Sequence, residues 1–225
     1  MLNKHIKGVI FDLWNTLVPL EDDLKEHAFN ETAIALQLDP FTLKKPWTET
    51  RIQRETSDLY QYLHWLKEDR GFFWTNELIV KGMQARKNIH GSAFRVPEKG
   101  AVQVLKELKQ LGIRIGVVSN CSSDVRDMIS SSTIMPFIDV LALSAEIGIM
   151  KPEPQIYKYA MRELGLQSEE CIYVGDGHDN ELKGAQLAGL EAILLDKNNG
   201  VAWEGKAITK LSDIIMEVER LAISN

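Results

Sequence analysis

Asp12 closes an unbroken apolar run, Gly8-Val9-Ile10-Phe11, and opens the turn Asp-Leu-Trp-Asn-Thr-Leu. A carboxylate held there, among the backbone amides of the next turn, stays ionised and points outward, so it suits a nucleophile or a metal ligand. Three further polar clusters follow apolar runs or lead into helical ones. Ser119-Asn120 sets a hydroxyl among backbone amides, a combination that holds one oxygen of an anionic group. Lys151-Pro152-Glu153-Pro154 fixes a lysine in a stiff segment before a helix, from which its ammonium can neutralise clustered carboxylates and a phosphate. Gly175-Asp176-Gly177-His178-Asp179-Asn180-Glu181 gathers three acids within the six residues from Asp176 to Glu181. Mutually repelling carboxylates on a tight turn suit a hard cation such as Mg²⁺. Taken singly, Asp12 and Ser119-Asn120 read better as ordinary turns, Lys151 as a solvated surface lysine, and the acidic loop equally well as one without metal.

What joins them is the pattern of elements around them. Short apolar runs at 8–11, 113–118, 138–143, 171–174 and 192–195 read as buried parallel strands. Helical patterns fall between them at 98–111 (Val102, Leu105, Leu108), 155–164 and 180–187, with a last one at 211–221. Gly112, Gly165 and Gly189 stand as stops. This alternation predicts an α/β fold: a Rossmann-like, three-layer core around a parallel sheet. One stretch, 22–89, has no strand pattern. Its apolar residues recur at helical spacing: Ala28, Ala33, Leu36 and Leu38; Leu59, Tyr62, Leu63 and Leu66; Leu78, Val80 and Met83. It reads as an inserted all-helical domain, 21–93, within a core of 1–20 and 94–225, with Pro19 and Pro97 near its hinges. Ligands of open α/β sheets bind beyond the carboxyl ends of the strands, where Asp12, Ser119, Asn120 and Asp176 fall and where the insertion would form a lid.

The bulk properties are ordinary for a soluble globular protein. The 225 residues are 44% hydrophobic and 26% charged, enough to bury a core and too balanced for disorder. A net charge of −6 and no basic run argue against nucleic acid. The N-terminal apolar run is too short for a membrane span and resembles no signal peptide, so a cytoplasmic location is expected. Cys121 and Cys171 read as buried thiols rather than a disulfide.

Asp12, Ser119, Lys151 and Asp176, in that order, resemble the four motifs of the haloacid dehalogenase superfamily. The insertion sits where that family carries its helical cap. The resemblance implies that Asp12 attacks the substrate and becomes a covalent aspartyl ester, which water then hydrolyses. Thr16 and Ser119 would position oxygens, and Lys151 would offset charge. Mg²⁺ would be held by Asp12, the backbone carbonyl of Trp14, Asp176 and the nearby acid Glu181. Cap residues choose the substrate in this family, so Arg51 and Arg54 are expected to grip an anionic group on a small molecule, with Trp14 and Asn120 also meeting it. Arg54 also fits an i,i+4 pair with Asp58.

The chain departs from the family's phosphatases at one position. Their second aspartate, which protonates the leaving group, is replaced by Trp14, and the small residue after it by Asn15. An indole cannot transfer a proton in that role. Dehalogenases of the superfamily carry an aromatic there, yet their fourth-motif acids are altered, whereas Asp176 and Glu181 are kept here. The expected reaction is Mg²⁺-dependent hydrolysis of a small phosphorylated metabolite. A 2-haloacid dehalogenase and a catalytically impaired binding protein are the alternatives. His178, a cap residue or water is left to supply the proton.

Overall fold

The computed structural model describes residues 6–198 and 200–223. Its strands are β1 (Gly8–Phe11), β2 (Arg114–Ser119), β3 (Val140–Leu143), β4 (Cys171–Gly175), β5 (Glu191–Leu195) and β6 (Lys206–Ile208). They form one sheet in the order β3-β2-β1-β4-β5-β6, with every neighbouring pair parallel. The order reverses between β1 and β4, so the ends of these two strands flank the crevice where such sheets bind ligands.

Alternation along the strands divides the core. Val9 and Phe11 pack on one face, under α6 (Ala101–Gln110) and α11 (Asp213–Ile223), together with Val117 and Val174. Ile10 and Tyr173 pack on the other, under α9 (Pro154–Leu164) and α10 (Glu181–Leu187). Two short helices, α7 (Val125–Ser130) and α8 (Ser144–Ile147), complete this three-layer arrangement. Both cysteines are buried and free.

Between β1 and α6 the chain is helical: α1 (Asp22–Ala35), α2 (Pro40–Glu49), α3 (Arg51–Glu55), α4 (Leu59–Arg70) and α5 (Asn76–His90). Local chemistry sets their starts. Asp39, Asp58 and Thr75 accept backbone amide hydrogen bonds at the N-termini of α2, α4 and α5. The helices share a separate apolar cluster around Phe29, Leu43, Trp47, Tyr62, Leu63 and Trp74. Truncating one of its fully buried leucines, such as Leu63, costs about 2–5 kcal/mol. The two connections to the core are tied together, since Glu98 N donates to Leu17 O at 2.9 Å.

Three details differ from the sequence expectation. Strand β6 carries no readable signal, being three residues long with an exposed middle position. Val80 and Val102 face outward, at 55% and 36% exposure, while Ile79 and Val104 take the buried positions. Each i to i+3 step falls about 60° short of a full turn, so the row 102-105-108 drifts across the buried face.

Candidate active site

The end of β1 delivers Asp12 into the crevice, its backbone N–H bonded to Val174 O at 2.8 Å. The carboxylate is 4% exposed. One oxygen accepts from Thr16 Oγ1 at 3.0 Å and the other from Lys151 Nζ. Burial pushes the Asp12 carboxyl up to about 8; Lys151 pulls against this, and Glu181 and Asp176 add to it. The following turn needs a left-handed residue, and Asn15 supplies it at φ 58°, its side chain accepting from Leu20 N.

Lys151 is buried and bridges two acids. Its ammonium donates to Asp12 and, at 2.5 Å, to Glu181 Oε2. Burial opposes its charge, but the two carboxylates outweigh that and push the ammonium upward. Two close approaches make the bridge possible. A Cβ on Gly184 of α10 would lie 2.3 Å from Pro152 O, so only glycine lets that helix abut the segment carrying Lys151. A Cβ on Gly175 would lie 2.1 Å from Glu181 Oε1, in the space the carboxylate occupies. Asn120 fixes the lysine from the other side: Oδ1 accepts from Lys151 N at 2.7 Å and Nδ2 donates to Lys151 O at 3.0 Å.

Asp12, Asp176 and Glu181 offer carboxylate oxygens that lie within 4.8 Å of one another, and all three are buried. This donor set, hard oxygens crowded at one point, fits a Mg²⁺ site. Glu181 is the most committed of the three, accepting from Lys151 Nζ, Tyr173 OH and Gly177 N. Asp176 accepts from His178 N and contacts His178 Nδ1 at 2.8 Å. The His178 side chain is otherwise 64% exposed. Ser119 Oγ is fully buried at the end of β2, where its side chain meets the Cys121 thiol.

The helical insertion roofs these residues over a cavity of about 600 Å³, lined by Asp12, Trp14, Lys151 and Asp176 below and by Trp47, Arg54 and Arg86 above. Trp14 stands in the wall, its ring edge-on to Phe94 at 5.2 Å and tilted to His90 at 6.3 Å. The cap arginines named from the sequence are spoken for. Arg51 donates through two nitrogens to Asp179, at 2.8 and 2.5 Å, and through Nε to Glu55. Arg54 lies buried over the Trp47 ring and donates to Trp47 O and Glu55. The expected Arg54–Asp58 pair is not formed, because Asp58 caps α4 and accepts from Ser123 Oγ.

Asp179, Arg86 and His90 are among the lining residues to which the sequence assigns no role of their own. Asp179 takes hydrogen bonds from Arg51 and Asn120, which hold its carboxyl down at about 2 although burial opposes it. Its place in the acidic loop was a usable signal. Arg86 and His90, one turn apart on α5, had none, since a charged helix face ordinarily meets solvent.

A family model for haloacid dehalogenase-like hydrolases matches residues 6–189. A glyceraldehyde 3-phosphate phosphatase of Methanopyrus kandleri is 27% identical over 197 residues, 84% of this chain and 83% of that protein. One from Methanocaldococcus jannaschii is 30% identical over 122 residues, 54% of this chain, and the match spans only about half of that relative, 53%. Among solved structures, a 2-haloacid dehalogenase from Pseudomonas syringae superposes with a TM-score of 0.72 at 21% identity, covering 96% of this chain and 99% of that one. A phosphatase from Thermococcus onnurineus superposes at 0.68 and 18% identity, covering 95% and 98%. Likenesses this remote speak for the fold alone. Among the described residues no helix is long and apolar enough to cross a membrane.

Proposed function

Because the chain belongs to the haloacid dehalogenase-like hydrolases, we propose that it hydrolyses a small phosphorylated metabolite with Asp12 as the nucleophile and Mg²⁺ as the cofactor. The observation that carries this reading is the buried cluster of Asp12, Asp176 and Glu181 with Lys151 bridging two of its members. Relatives named as phosphatases of glyceraldehyde 3-phosphate and phosphoserine support it.

Asp12 Oδ attacks phosphorus as the bond to the leaving-group oxygen breaks, giving an aspartyl phosphate. Water then attacks that phosphorus, releasing phosphate and restoring Asp12. Thr16 holds the second carboxylate oxygen and so fixes the direction of attack. Lys151 stabilises charge on the transferring group, and the buried Ser119 hydroxyl donates to one of its oxygens. Mg²⁺, when bound by Asp12, Asp176 and the Trp14 backbone carbonyl, supplies charge neutralisation that lets two anions meet. We assign Glu181, expected as a further ligand, to holding Lys151, because its oxygens already accept three hydrogen bonds. Asn120 likewise positions Lys151 rather than substrate. With Trp14 at the usual acid position, aryl and acyl phosphates, whose leaving groups depart without a proton, are the best substrates.

The aromatic side chain of Trp14 favours a second reading, halide release from a 2-haloacid, since halide needs no proton. One assay set separates the two. Aryl phosphate turnover with and without Mg²⁺ is compared with turnover of 2-chloropropionate, using Asp12→Asn as control. Metal-stimulated phosphate release lost in Asp12→Asn supports the phosphatase, and halide release indifferent to chelator replaces it. Absence of Asp12-dependent turnover across a broad phosphate panel ends the enzymatic reading.

A further inference from the structure

Arg86 and His90 lie four residues apart on α5 and therefore on one face of the helix. Both line the cavity above Asp12. His90 is 4% exposed, yet neither ring nitrogen has a hydrogen-bond partner among the described residues. The same holds for Arg86 Nε, on a side chain 12% exposed. Buried polar atoms are almost always paired, so three orphaned nitrogens on one helix face, opening on one cavity, mark a place where a ligand supplies the partners.

The chemistry of that ligand follows from the groups. Arg86 donates through Nη2 to Ser122 Oγ at 3.3 Å, while its Nε stands 3.6 Å from Asp124 Oδ2, beyond hydrogen-bond reach. That carboxylate oxygen is itself without a partner, so the pair compensates charge without satisfying either atom. Arg54 and Lys25 also face the cavity, and with Arg86 they add to the burial that depresses His90. Glu55, Asp22 and Glu26 are the acids on the lining from the helical insertion, and Asp12, Asp176, Asp179 and Glu181 are those from the core. Arg51 and Arg54 already have carboxylate and carbonyl acceptors, whereas Arg86 is, among the described residues, a buried cap arginine on this lining with an unmet donor.

We infer that Arg86 and His90 form a second subsite that binds a carboxylate carried by the leaving group of the substrate. Arg86 pairs with its charge and His90 donates one N–H to an oxygen of the same group. The inference deepens the phosphatase reading and rests on it for the placement of the phosphate at Asp12. Trp14, Phe29 and Trp47 also line the cavity, and their rings accept a flat or apolar spacer.

The test uses two probes of one shape, 4-carboxyphenyl phosphate and 4-carbamoylphenyl phosphate, with the Mg²⁺-loaded full-length protein. Wild type is expected to favour the carboxylate by about 10- to 100-fold in kcat/KM, the range of a charge-assisted hydrogen bond. Arg86→Leu and His90→Phe should collapse that ratio toward one, chiefly through KM for the carboxylate. Arg86→Lys and His90→Gln, which keep a donor, should restore part of it. A ratio near one in wild type overturns the subsite, and so do variants that slow both probes equally. In parallel, calorimetry measures 4-carboxyphenyl phosphate binding to Asp12→Asn and to Asp12→Asn with Arg86→Leu. Tighter binding to the former supports the subsite even if wild type turns over neither probe, an outcome that sinks the phosphatase reading alone. Equal binding overturns the subsite.

Discussion

Asn120 grips Lys151 by its backbone, accepting from its N–H at 2.7 Å and donating to its carbonyl at 3.0 Å. A side-chain amide thereby mimics a neighbouring strand and holds the one residue that spans Asp12 and Glu181. Asn120→Leu leaves a buried N–H and C=O unpaired, which costs about 1–3 kcal/mol for each group left unsatisfied. We expect kcat to fall by about 10- to 100-fold with KM nearly constant, since a misplaced ammonium stabilises transferring charge less well. Steady-state kinetics and chemical denaturation check the two effects separately.

The crowding of Asp12, Asp176 and Glu181 ties metal to stability. Mg²⁺ at 100 times its dissociation constant should stabilise wild type by about 2.7 kcal/mol. Asp176→Asn should abolish that gain, while in EDTA the variant should melt no lower than wild type, because one of the repelling charges is gone. Thermal melts of both proteins with Mg²⁺ and with EDTA give the comparison, and a Mg²⁺-induced rise that persists in Asp176→Asn contradicts the assignment.

Trp14→Asp places a carboxyl where the family's phosphatases have one. General acid catalysis contributes about 10²- to 10⁴-fold, so turnover of an alkyl phosphate, whose leaving group needs a proton, should rise by about 10²-fold. An aryl phosphate should gain far less. Losing the ring contacts to Phe94 and His90 should cost about 1–3 kcal/mol. Phosphate release from the two substrate types is the readout.

The burial of His90 should make the protein acid-sensitive. Burial, with the charges of Arg86, Lys25 and Arg54, pushes the imidazole down to about 2 from an ordinary value near 6.5. Between those values the unfolded chain binds the extra proton, so this contribution is complete above about pH 6.5 and is lost as pH falls. From pH 7.5 to 5.5 the loss is about 1.4 kcal/mol. Urea unfolding of His90→Phe should show a correspondingly shallower fall over that interval, and an unchanged slope would contradict the burial argument.

Much of this was legible in the sequence. Strand ends announce themselves when an apolar run meets a polar residue, which is why Asp12, Ser119 and Asp176 were found. The hidden parts have no local signature. Arg86 reads as a solvated helix residue until the fold shows that α5 turns that face onto the cavity. The 2.5 Å contact of Glu181 with Lys151, which Gly184 allows, has no local signal either. Arg54–Asp58 fits a helix pair, but Asp58 is better used at the start of α4, where two backbone amides await it. Local periodicity cannot show which partner a side chain prefers when tertiary structure offers a second one.

The buried quartet also sets a rule of charge parity. Its three carboxylates and one ammonium, counted ionised, leave two negative charges beneath the roof of the cavity. One divalent cation brings that balance to zero, whereas a monovalent one leaves half the deficit. A dianionic phosphate entering afterwards meets a neutral floor; entering first, it would double the charge the site must carry. On the proposed mechanism, loading the cation before the substrate keeps that charge from doubling, without any moving part to enforce it.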